Sequence, residues 1–149
     1  MNQPFKFLMI ATLASPMSWA CSYDGQFNNP FTESYPGALD VAIATQQAIE
    51  QQSIVAPPPL EGSKGLRRVT WWLNLLEKMS LNLPKGTYIY LVDSQLWSQY
   101  ETPNHIAIHV QPPKDKSKVV QLTEATLHNL INKRLTYKQA LDLELILET

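Results

Sequence analysis

Three histidines are the first residues whose type could do chemistry. His105 and His109 sit in "HIAIHVQ", and His128 follows in "EATLHNLI". Ile106, Ile108 and Val110 alternate with His105, Ala107, His109 and Gln111, which predicts a strand half buried on its isoleucine face. Four residues along a strand span about 13 Å, so the first two histidines cannot hold one ion; only a helix would set them a turn apart. His128, on a separate predicted helix, adds one dispersed ring. Serines, histidines and acids are scattered, with no nucleophile elbow, metal-ligand cluster or phosphate-binding glycine loop. The sequence therefore predicts a protein that is not an enzyme, with no catalytic residue, no metal site and no cofactor.

Cys21 is the sole cysteine, so no disulfide can form within the chain. It follows a weakly positive start, an apolar run from Phe7 to Ala14 and the segment Ser15-Pro16-Met17-Ser18-Trp19-Ala20. That order is the pattern of a secretory signal peptide over residues 1–20, with cleavage after Ala20. The run is well short of the roughly 20 apolar residues that span a bilayer. Export is thus expected, to a bacterial periplasm. Cys21 would become the first residue of the mature chain and is the lipidation candidate, which would make the protein a membrane-anchored lipoprotein. Ser18, where such a signal usually has an aliphatic residue, fits ordinary signal peptidase and an unmodified thiol instead.

Removing residues 1–20 takes one lysine and no acid from twelve basic and thirteen acidic residues, leaving a net charge of −2. No basic block or Lys/Arg stripe interleaved with aromatics remains, which excludes nucleic acid as an expected partner; a membrane is one only if Cys21 is acylated. Residues 21–149 are enough for a single hydrophobic core.

The elements that would build it read in order. Residues 21–37 are turn-prone, and Tyr23, Phe27, Phe31 and Tyr35 recur along them as anchors for an extended N-terminal arm. One α/β domain is expected over 38–149. In its first helix, 38–52, Ala38, Val41, Ala42, Thr45, Ala48 and Ile49 share a face. A proline-rich loop over 53–65 carries Pro57 to Pro59 and two glycines that loosen its end. A second helix, 66–83, has a broad apolar stripe, and its adjacent Trp71 and Trp72 point about 100° apart, so one must lie at the rim. Four β-rich runs follow at 87–93, 94–100, 105–111 and 119–123, read as three or four antiparallel strands.

In the last stretch Thr123 caps a helix carrying Leu127, Leu130 and Ile131, which closes at Lys133-Arg134 with Leu135 tucked inward. Thr136 and Gln139 have the capping-box spacing of a second, short helix through Ala140. Leu141, Leu143, Leu145 and Leu147 then alternate as a final strand, with a helix continued through the C-terminus as the competing reading because Leu and Glu are strong helix formers. The expected fold class is α+β: two N-terminal helices, then a small, mostly antiparallel sheet with the C-terminal helices packed on one face.

With Val120-Gln121-Leu122, Thr123 to Ile131, Leu135-Thr136 to Ala140 and Leu143 to Leu147 in that order, the chain over about 87–147 resembles the sterol-carrier-protein-2-like family. The resemblance implies an apolar tunnel for lipids or fatty acyl chains and brings no catalytic residue. The implied pocket residues are Ile106, Ile108, Leu127, Leu130, Ile131, Leu135 and Ala140, and Trp72 of the adjacent tryptophan pair in the second helix is a further pocket candidate. The same residues are the core that periodicity alone predicts. The chain departs from the family in having Leu141-Asp142 where a glycine usually leads into the strand. Two expectations follow: a small exported noncatalytic protein that binds a lipid or other apolar small molecule, or an envelope accessory protein whose filled core supports contact with a partner protein.

Overall fold

The computed structural model describes residues 21–24, 35–79, 81–102 and 105–149. Phe27 and Phe31 of the arm, and the signal segment, lie outside them. A 3-10 turn at Ser22–Asp24 precedes helices α1 (Ala38–Glu50) and α2 (Gly62–Glu77). Strands β1 (Tyr88–Leu91), β2 (Leu96–Thr102), β3 (His105–Ile108) and β4 (Val119–Leu122) follow, then α3 (Glu124–Ile131), α4 (Tyr137–Asp142) and β5 (Ile146–Glu148). The sheet order is β3-β2-β1-β4-β5. Its pairs are antiparallel except β1 with β4, which run parallel in the register Leu91 opposite Leu122. The class is α+β.

Alternation along the strands divides the interior in two. Ile89, Leu91, Leu96, Val120 and Leu122 face a core shared with Val69, Trp72, Leu73 and Leu76 of α2, Leu127 and Leu130 of α3, and Ala140 of α4. On the opposite face Tyr90, Val92, Trp97 and Val119 pack with Ala38 and Val41 of α1. Tyr35 stands edge-on to Tyr90 and Trp97, at 6.1 and 5.1 Å between ring centroids, which pins the described end of the arm to this second face. Ala48 belongs to the first core, so α1 serves both.

Several boundaries differ from the sequence reading. Helix α2 starts at Gly62 rather than Leu66, so both glycines assigned to the loop lie in its first turn, and it ends at Glu77 rather than running on to Leu83. His109 has φ 62 in the left-handed region, which ends β3 at Ile108 and turns Val110 towards the second face. Helix α3 stops at Ile131, and Lys133, with φ 56, reverses the chain there. The final strand is shorter than 141–147. Leu141 remains in α4, Leu143 caps it and is 52% exposed, and only Ile146–Glu148 pairs with β4. The strong helix propensity of Leu and the Lys138–Asp142 ion pair, 2.9 Å and one turn apart, favour that extra turn.

The proline segment is fastened at both ends. Ile54 is buried, and Asn129, fully buried on α3, accepts from the Val55 N–H at 3.1 Å and donates to the Val55 carbonyl at 2.8 Å. Farther along, Arg68 of α2 donates to the Pro58 carbonyl. Asn129→Ala is expected to cost about 1 kcal/mol, because water can reach the exposed Val55 and replace part of what is lost. Equilibrium denaturation measures that loss, and proteolysis within 53–61 should become faster.

Candidate functional site

The site is built where β1 and β4 leave the sheet. Because they run parallel, with Leu91 opposite Leu122, the turn after β1 and the first turn of α3 emerge side by side. Asp93 sits in that turn. Its two carboxylate oxygens each accept from the Glu124 backbone N–H at 3.1 Å, and one also accepts from the Ser94 N–H at 3.2 Å. Thr123 caps the same helix, its hydroxyl accepting from the Thr126 N–H at 3.1 Å and lying 3.2 Å from the hydroxyl of Thr45 on α1. Asp93 thus supplies acceptor oxygens to the leading N–H of α3.

Glu124, 7% exposed, is the hub of a polar network on the other side of the turn. It accepts from the Tyr23 hydroxyl, and its second oxygen lies 3.7 Å from the Arg68 guanidinium, which stacks 4.6 Å from the Trp72 ring centre. Trp72 in turn meets His128 at 5.1 Å. Burial, then the hydrogen bond and the charge of Glu124, push the Tyr23 phenol well above its ordinary range. Burial, then the charges of Arg134 and Arg68, lower His128. Ser22 donates its backbone N–H to the Ser94 carbonyl at 2.9 Å, fastening the arm directly to the turn.

Asp93 is an exposed residue, yet crowding of its carboxylate against the start of α3, and next the charge of Glu124, push it up to about 7 from an ordinary 3.8. A carboxyl raised in the folded state binds more protons there than in the unfolded chain. Its stabilisation is therefore present at low pH and lost as pH rises from the ordinary carboxylate range through about 7. Asp93→Asn is expected to flatten the fall in stability across that window, measured by denaturation midpoints over a pH series.

Two hollows meet at Asp93. One, of about 850 Å³, is bordered by Ser22, Tyr23, Ser94, Glu124, Leu60, Glu61 and the first turn of α2 at Gly62–Lys64. The other, of about 420 Å³, is mainly apolar and runs along α1, with Leu39, Ala42, Ile43 and Ile49 facing Ala125. Asp93 borders both.

The residues assigned to a pocket from the sequence do come together, but as packing. Trp72, Ile106, Leu127, Leu130, Leu135 and Ala140 are each at most 8% exposed in the first core, with Ile108 and Ile131 partly buried against it. None of the eight borders either hollow. Cys21 is 1% exposed and belongs to that same core. His105 lies 3.3 Å from Glu101 across an exposed pair, and His128 lies against Trp72, so these two do not converge. Sequence reasoning missed Asp93, Glu124, Arg68 and Asn129. The only signal was an Asp-Ser turn and a Thr-Glu helix start, and nothing in periodicity pairs two stretches joined only by a parallel ladder. Comparison with family models, curated proteins and solved structures returns no match.

Proposed function

We propose that this is a small noncatalytic protein, exported by means of residues 1–20, that binds an apolar small molecule in the groove along α1. The observation that carries this reading is the groove itself, an apolar hollow of about 420 Å³ open beside Ile43, which is 47% exposed. That volume lies within the range of small-molecule pockets, and a few polar groups at its end, Thr45, Thr123 and Asp93, are the usual means of fixing a ligand's orientation. The reading keeps the apolar ligand that the sequence resemblance implies and moves it away from the filled core.

Titration with an environment-sensitive apolar dye tests it. The wild type is expected to bind the dye saturably and a fatty acid to displace it. Ile43→Glu places a charge in the groove and should weaken binding at least about tenfold, while an exposed site leaves stability within about 0.5 kcal/mol. Equal binding by both proteins would overturn the assignment. A second reading, contact with a partner protein of the envelope, rests on Trp71 of α2, which is 60% exposed beside its buried neighbour Trp72. Aromatic side chains of this kind anchor protein interfaces.

A further inference from the structure

Helix α2 buries Val69, Trp72, Leu73 and Leu76, and the face it turns away from the core is basic. At 100° per residue, Lys64, Arg67 and Lys78 all project within about 40° of Trp71. All four are exposed, Trp71 to 60%, although Trp72 and Trp97 are buried. Among the described residues none of these three cations has an ion-pair partner, whereas Arg68 is engaged by Glu124 and the Pro58 carbonyl. Exposed Asn74 and half-buried Leu75 complete the sector around Trp71, which therefore holds no acid. Glu61 stands at one end of it, at the N-cap beyond Lys64, and Glu77 projects about 120° away. Helix α3, packed beside α2, is followed by exposed Lys133 and Arg134. The net charge of −2 over residues 21–149 conceals this face. Its cations are spread over residues 64–78 and only the helix gathers them, into a ridge about 21 Å long.

We propose that this face docks the protein on an anionic lipid bilayer, with the Trp71 ring at headgroup level and Lys64, Arg67 and Lys78 on lipid phosphates. The inference goes beyond the α1 groove and does not depend on it. Charge complementarity and residue type select the occupant. Tryptophan is enriched where membrane meets water, because its ring is apolar and its N–H can donate to a headgroup. Each lysine or arginine near an anionic leaflet raises affinity about fivefold. Protein interfaces are depleted of lysine, which supplies two of the three cations here. A convex ridge also meets a flat bilayer along its whole length, whereas a protein partner would have to supply a matching groove. Docking of this kind needs no acyl chain on Cys21.

Co-sedimentation tests this with the processed chain, its Cys21 thiol unmodified, and vesicles of phosphatidylcholine alone or mixed equally with phosphatidylglycerol. The protein is expected to bind the anionic vesicles at least about tenfold more tightly than the neutral ones, and salt should release it. Trp71→Ala, and Lys64→Gln, Arg67→Gln and Lys78→Gln combined, should each weaken binding at least about tenfold at an unchanged melting temperature, since these side chains stand in solvent. Glu61→Gln, which removes the acid at the end of the ridge, should strengthen it. Lys114→Gln with Lys116→Gln takes exposed charge from the loop before β4 instead and should change binding by less than about twofold. Equal affinity for the two kinds of vesicle, or an equal loss from the loop variant, would overturn the inference. Self-association that Trp71→Ala abolishes, with no binding to either vesicle, would give the face to a second copy of the chain and overturn it as well. Ile43→Glu should bind vesicles like the wild type. Its failure to do so would move the membrane contact to the α1 groove and overturn the assignment to α2, whereas normal vesicle binding by a wild type that takes up no apolar dye would overturn the groove alone.

Discussion

Leu130→Ala is expected to destabilise the protein by about 2–5 kcal/mol, the cost of opening a cavity in a packed interior. Leu130 is fully buried among α2, α3 and the sheet, and it occupies the place where the family resemblance would put a lipid tunnel. A leucine lining a tunnel already borders empty space or an exchangeable ligand, so its truncation would cost much less. Ala140→Phe gives the complementary result. In a filled core it overpacks and should cost about 1–3 kcal/mol, whereas in a tunnel it would block a cavity with little loss. Chemical denaturation of both variants, with the denaturant slope checked for constancy, reads these differences.

Gly65→Ala is expected to cost about 1–3 kcal/mol through overpacking, although alanine is the better helix former. A methyl group there would stand 2.2 Å from the Tyr23 ring and 2.7 Å from the Leu60 carbonyl. Tyr23 would have to leave α2, taking its hydroxyl from Glu124 and releasing the 3-10 turn that fastens the arm. Tyr23→Ala in the Gly65→Ala background should recover part of the loss, because the clash with the ring is then gone. Additive losses from the two substitutions would show that Tyr23 is not the group against which the methyl collides.

Much of the fold could be read because it is written locally. Thr123 and Thr136 cap their helices as the spacing predicts, and the Thr136-Gln139 capping box is complete. Ala38, Val41, Thr45 and Ala48 of α1 and Leu127 and Leu130 of α3 are buried as their periodicity requires. The misreadings arise where a long-range contact outweighs local preference. Gly62 and Gly65 look like loop residues, yet α2 uses the absence of a side chain at Gly65 to seat Tyr23. Leu141 to Leu147 alternate like a strand, but α4 claims the first two residues and Leu143 faces solvent.

The site was harder to see than the fold. Asp93 and Glu124 are neighbours only because β1 and β4 pair in parallel across an intervening hairpin, a pairing that leaves no periodic trace in sequence. The apolar groove was hidden for a different reason. Ala42 and Ile49 were assigned to the buried face of the first helix, while in the fold they line the groove beside exposed Ile43. A helix that packs on two cores has a broad apolar surface, and its periodicity cannot say which part is left uncovered.

The most direct test of the central claim is the mass of the gently purified, processed protein under native and denaturing conditions, for the wild type and for Ile43→Glu. The account predicts a native excess of small-molecule size on the wild type that vanishes on denaturation and is absent from Ile43→Glu. A native mass equal to the bare chain after incubation with single-chain lipids, or an excess retained undiminished by Ile43→Glu, would contradict it.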